Sequence, residues 1–113
     1  MHEFSLATSI LEIVQNTITE AQKQKVTQIT LEVGALSGIE EPALFTALES
    51  IQQGTCIEAS DIDIVHTKGI AYCEECHKEF EIIELFSLCP TCNGFQKKIL
   101  SGKEFNILSI EAE

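Results

Sequence analysis

Positive charge is scarce in this 113-residue chain: seven Lys and Arg stand against eighteen Asp and Glu, for a formal net charge of −11. Such a surface repels phosphate backbones and anionic lipid, which argues against a nonspecific nucleic-acid binder and against a membrane-surface protein. It attracts cations and basic partner surfaces instead. Long apolar runs are also missing; none approaches the roughly 18 residues of a membrane span. The amino terminus lacks the basic flank and cleavage site of a secretory signal. With six Gly and two Pro, the composition is neither low-complexity nor that of a disordered chain. No Ser/His/Asp set, phosphate loop or paired-carboxylate site is evident, so the reading is of a non-enzyme. Together these absences predict a soluble cytoplasmic protein with one compact core and room for a small metal-held appendage.

What the chain does have is five cysteines, an odd number that cannot close completely into disulfides. Four form two Cys-x-x-Cys pairs, Cys73 with Cys76 and Cys89 with Cys92, separated by twelve residues. A Cys-x-x-Cys turn aims two sulfurs at one point, and two such turns supply a closed tetrahedral four-thiolate site. Structural zinc is the favoured occupant; two disulfides, a redox dithiol or an iron site are the alternatives. A closed site has no open position for substrate, so the cluster is read as a staple for a module that its apolar content alone could not fold. Phe80, Ile82, Ile83, Leu85 and Phe86 are expected to make apolar contacts in a hairpin between the two pairs. Cys56 stands alone and is read as a small buried residue. His77 follows Cys76 directly and could approach the metal, but four thiolates need no fifth donor; His66 lies in a strand pattern and carries no assignment.

The periodicity outlines the rest. Leu6, Ile10, Ile13, Val14, Ile18 and Ala21 recur at helical intervals. Ile29, Leu31 and Val33 then alternate with polar residues as a half-buried strand. Pro42 stands where a first helical turn tolerates a missing N–H, ahead of Leu44, Ala47, Leu48 and Ile51 in a helix closed near Gly54. Residues 57–66 and 105–111 read as strands, with the inner face of the last one ambiguous between a bulge and burial on both sides. The expected fold is α+β, two helices packed on a three-stranded antiparallel sheet with an inserted zinc-ribbon-like module. The domain boundaries are 1–66 with 104–113 for the α+β part and 67–103 for the four-cysteine module.

The opening Met1-His2-Glu3 forms a second candidate metal site. The free amine of Met1, the amide and ring Nδ1 of His2 and the amide of Glu3 can make a planar four-nitrogen chelate suited to Ni(II) or Cu(II). The Glu3 carboxylate can replace an amide or add an axial oxygen.

Several motifs then agree in order and spacing. Residues Met1-His2-Glu3-Phe4-Ser5-Leu6, Val33-Gly34-Ala35-Leu36-Ser37-Gly38-Ile39-Glu40, both cysteine pairs, Ser101-Gly102-Lys103-Glu104-Phe105 and Ser109-Ile110-Glu111 resemble the HypA/HybF family across essentially the whole chain. That family comprises nickel-insertion accessory proteins of nickel–iron hydrogenase maturation. The resemblance implies a nickel metallochaperone that binds Ni(II) as cargo at Met1, His2 and Glu3, with Glu40 as a further acidic residue near the nickel. It also implies structural zinc on Cys73, Cys76, Cys89 and Cys92. Its partners would be a nickel-pathway GTPase and a hydrogenase large-subunit precursor, or urease accessory proteins if urease is the acceptor. Some relatives carry His after both cysteine pairs, whereas this chain has His77 but Asn93. A zinc-ribbon interaction module without nickel transfer is the alternative reading, and the sequence leaves monomer or homodimer open.

Overall fold

The computed structural model describes residues 3–113. Its elements are α1 (Glu3–Glu20), β1 (Val26–Gly34), α2 (Glu41–Gln52), β2 (Asp61–Thr67), β3 (Gly69–Cys73), β4 (Lys78–Ile82), β5 (Lys97–Ser101) and β6 (Phe105–Ala112). They form two three-stranded sheets, ordered β2-β1-β6 and β4-β3-β5, with two helices, an α+β architecture. The chain divides into two compact units, one made of Met1–Leu31, Ile39–Ile64 and Ile107–Glu113, the other of Glu32–Gly38 and Val65–Asn106. Among the described residues, no helix is long and apolar enough to cross a membrane.

In the first unit α1 packs on α2. The stripe of α1 that is buried consists of Leu6, Ala7, Ile10, Val14 and Ile18, which meet a core completed by Val26, Ile29 and Leu31 of β1, Leu44, Ala47 and Leu48 of α2, and Ile57. Burying one such aliphatic side chain stabilises the fold by about 1.5–3 kcal/mol. Two residues of the expected stripe fall outside it. Ile13, at the stripe's margin, is 52% exposed, and Ala21 lies beyond the end of α1 and is exposed. Helix α2 begins with Pro42 in its first turn and Glu41 beside it, both placed where the free N–H groups of a helix start favour them. It stops before Gly54, which has a φ of +78°.

The sheet expected to be antiparallel is mixed. Contacts between β1 and β6 run in opposite directions: Thr27 donates to the Glu111 carbonyl near one end, and Asn106 donates to Glu32 near the other. Contacts between β1 and β2 keep a nearly constant sequence separation, Ser60 donating to the Val26 carbonyl, Gln28 to Asp63 and Thr67 to Glu32. That constancy makes β1 and β2 parallel. The reason is the helical crossover: α2 carries the chain back to the end where β1 began, so β2 starts alongside the start of β1. The burial of β6 answers its face ambiguity, because Phe105 and Ile107 are half-buried, Leu108 and Ser109 are both exposed, and Ile110 is half-buried again. The inner face shifts by one residue at Leu108–Ser109.

In the second unit β3 is central, pairing antiparallel with β4 from Gly69↔Ile82 to Cys73↔Lys78 and with β5 from Ile70↔Ser101 to Cys73↔Lys97. The segment after β1 belongs here: the Gly34 N–H donates to the Glu104 carbonyl at 2.8 Å and the Ala35 N–H to the Thr67 carbonyl at 2.9 Å. A methyl group on Gly34 would collide with the Gly102 backbone, so this close approach requires glycine. Of the apolar residues expected between the cysteine pairs, Ile82 is buried, but Ile83 and Phe86 are 78% and 76% exposed and Leu85 is exposed as well. The hairpin is β3–β4, across the first cysteine turn. Among the described residues the strand pairing ends at Gly69↔Ile82, and the three side chains beyond it stay exposed.

Candidate metal centre

β3 ends on Cys73, and the turn that follows carries Cys76. In this turn the Cys76 N–H donates to the Cys73 Sγ at 3.4 Å and the His77 N–H to the Cys73 carbonyl at 2.9 Å. The second turn repeats the carbonyl bond and adds a different N–H to sulfur bond. The Asn93 N–H donates to the Cys89 carbonyl at 2.8 Å, and the Gly94 N–H to the Cys92 Sγ at 3.4 Å. These N–H groups supply the positive ends of dipoles that anionic sulfur requires. A hydrogen bond from the Glu74 N–H to the Gln96 carbonyl links the two turns.

The four sulfurs converge. Cys73, Cys76, Cys89 and Cys92 place their ligand atoms within 4.8 Å of one another, with Cys73 Sγ 3.7 Å from Cys92 Sγ and Cys89 Sγ 4.0 Å from Cys76 Sγ. A tetrahedral zinc with Zn–S bonds of about 2.3 Å needs sulfurs about 3.8 Å apart. The donor set and its spacing fit zinc, and all four cysteines are free in this arrangement. Without a metal the protons are shared unevenly. The backbone N–H groups of Cys92 and Thr91 hold the Cys89 thiol down to about 6. Its neighbour Cys76 pushes Cys92 up to about 12.

His77 is not among the converging side chains; its Nδ1 lies 3.0 Å from the Tyr72 hydroxyl, and its backbone φ of +58° places it in the left-handed region. Cys56 is half-buried rather than fully buried, its thiol pushed up by burial, and its carbonyl accepts from the Val26 N–H at 2.9 Å. His66 is exposed on β2. The residue the cysteine pattern did not single out is Glu75, whose Oε2 lies 3.7 Å from Cys92 Sγ. The sequence shows Glu74 and Glu75 between Cys73 and Cys76 but does not show that either reaches Cys92, nineteen residues from Cys73.

For the nickel assignment, Met1 and His2 lie outside the described residues. Glu3 and Glu40 do come together: the Glu40 N–H donates to Glu3 Oε2 at 3.3 Å. With Pro42 and Thr46 they border an open groove on the first unit. Glu40 occupies the N-cap position of α2 but makes no side-chain capping bond, which leaves the helix-start explanation of this carboxylate without its main contact.

Comparison with known proteins follows the same outline. The family model described as hydrogenase/urease nickel incorporation, metallochaperone, HypA matches residues 1–112. The chain is 30% identical to hydrogenase maturation factor HypA of Albidiferax ferrireducens and 35% identical to hydrogenase maturation factor HybF of Escherichia coli, each over 113 residues and all of both chains. Its fold is similar to a solution structure of the Ni metallochaperone HypA from Helicobacter pylori, with a TM-score of 0.69, 23% identity and coverage of 99% of this chain and 97% of that one. A second solution structure of a HypA protein aligns with a TM-score of 0.72, at 23% identity, over 100% of this chain and 97% of that one. By its whole-length match and by relatives of this identity, the chain belongs to the HypA family of nickel-incorporation metallochaperones, carriers rather than enzymes, that serve hydrogenase maturation.

Proposed function

We propose that this chain accepts Ni(II) through the Met1 amine, the His2 amide and imidazole, and Glu3, and passes it with a GTPase partner to the precursor of a hydrogenase large subunit in the cytoplasm. The single observation that carries this reading is the Glu3–Glu40 contact of 3.3 Å, which gathers two family-motif residues from distant parts of the chain beside the amino terminus. Residues 1–66 with 104–113 form the nickel-binding part and 67–103 the zinc module in this reading. Zinc bound by Cys73, Cys76, Cys89 and Cys92 supplies a rigid cross-link and no vacant coordination position.

A terminal chelate suits transfer, because an incoming thiolate or imidazole replaces its donors one at a time. Amine and imidazole must lose protons to bind, so nickel affinity falls as the pH drops through about 6 to 7. Titration of the zinc-loaded protein with Ni(II), wild type against His2→Ala, tests the assignment. The expected result is one tight nickel per chain in the wild type and none in the variant, with zinc unchanged. Equal nickel binding by both would remove the terminal chelate and leave a zinc-stapled interaction module. Delivery to urease is a second reading, favoured by the family description, which names both hydrogenase and urease. Nickel transfer to purified precursors of each enzyme separates the two.

A further inference from the structure

The four sulfurs of the candidate centre are unequally protected. Cys73 and Cys89 are 0% and 1% exposed, Cys76 is half-buried, and Cys92 is exposed. The position of Gly94 keeps Cys92 open. A Cβ at Gly94 would lie 3.1 Å from Cys92 Sγ and 2.7 Å from Glu75 Oε2, so any side chain there would press on both groups. Two further groups reach the exposed sulfur, the Glu75 carboxylate at 3.7 Å and Cys73 Sγ at 3.7 Å. Coordination by zinc keeps a thiol deprotonated, and the thiolate is the nucleophilic form. Exposure then decides which of four thiolates a small reagent meets.

We infer that Cys92 is a modification site, the thiolate at which a hydroperoxide attacks the centre, with Cys73 as the resolving sulfur and zinc as the species released. This rests on the zinc reading above. The Cys92 thiolate attacks one peroxide oxygen and the O–O bond breaks. The sulfur gives up two electrons and becomes a sulfenic acid, and hydroxide leaves. The Cys73 thiolate next attacks the sulfenic sulfur, an S–S bond forms, and a second hydroxide leaves. The peroxide is thus reduced to two hydroxides, which take up protons from water. Two thiolates remain, too few to hold the metal against a chelator. Glu75 adds selectivity, since its negative charge beside Cys92 disfavours anionic reagents relative to neutral ones.

The test uses the full-length zinc-loaded chain carrying Cys56→Ser, so that only cluster thiols can react, with zinc content measured first. Equimolar hydrogen peroxide is added with dimedone to trap sulfenic acid, or without it alongside a zinc-binding dye, and the peptides are mapped by mass spectrometry. The expected adduct is on Cys92; without the trap, a Cys73–Cys92 disulfide forms in step with zinc release. In Glu75→Gln, the ratio of iodoacetate to iodoacetamide labelling at Cys92 should rise several-fold, the order of factor for removing one charge a few ångströms from the incoming carboxylate in water. A zinc-loaded chain that oxidises first at another cysteine, or releases zinc with Cys92 intact, overturns this proposal alone. A purified chain that holds no zinc overturns the zinc reading and this proposal with it.

Discussion

His77 and Asn93 hold the same place in the two halves of the cysteine cluster. Each follows the second cysteine of its pair, each has a φ of +58°, and each donates its backbone N–H to the carbonyl of the first cysteine, at 2.9 and 2.8 Å. In these respects the two turns are copies built from different residues. Both His and Asn are types enriched in the left-handed region, so asparagine holds the second turn without supplying an imidazole.

That equivalence predicts how position 93 tolerates change. Asn93→Gly should retain zinc binding, because glycine adopts this conformation freely. Asn93→Val should destabilise the zinc-loaded protein by about 1–2 kcal/mol, the cost of forcing a side chain with Cβ branching into the left-handed region. Urea titration of the two variants against wild type measures both.

Gly34 offers a sharper steric test. Since an added methyl would overlap the Gly102 backbone, Gly34→Ala should cost about 1–3 kcal/mol, as overpacking generally does. A change below a few tenths of a kcal/mol in the same urea assay would mean that the strands separate there without penalty.

Acid should weaken the second unit through Glu32. Hydrogen bonds from Asn106, first, and Thr67 hold its carboxyl below the ordinary value of 4.5. A depressed carboxylate contributes stability that is fully present above 4.5 and is lost as the pH falls through the lowered value. Asn106→Ala should therefore raise the Glu32 pKa toward 4.5, read by carboxyl NMR titration, and flatten the acid limb of the stability curve.

Metal binding should be coupled to protons in a specific order. Cys89 is already largely a thiolate at pH 7, whereas Cys92, pushed up to about 12, must surrender its proton to bind. Adding zinc to the metal-free protein at pH 7 should release protons, visible with an indicator dye in weak buffer. As the pH falls through about 6, Cys89 also takes up a proton and apparent zinc affinity should decline more steeply.

Glu40 tests the nickel site apart from His2. If its carboxylate acts beside the terminal chelate, Glu40→Ala should weaken nickel binding by about tenfold, the lower range for a supporting group. Nickel affinity equal to wild type in calorimetry would return Glu40 to a helix-start carboxylate.

Much of this architecture was readable from the residues alone, because local spacing dictates local structure. The i+3 and i+4 recurrence of Leu6, Ala7, Ile10, Val14 and Ile18 can bury one stripe only as a helix, and the alternation of Ile29, Leu31 and Val33 only as a strand. Two Cys-x-x-Cys turns announce a four-sulfur cluster for the same reason: each turn presents its own pair, and one ion satisfies both. Other features depend on which segments meet across long separations, which no periodicity encodes. The parallel direction of β2 follows from the path of the crossover. The exposure of Ile83 and Phe86, equally apolar to Ile82 on paper, follows from the end of the strand pairing at Gly69↔Ile82. The Glu75 carboxylate over Cys92, and the Glu3 carboxylate on the Glu40 N–H, arise only once distant residues are folded to within hydrogen-bonding reach.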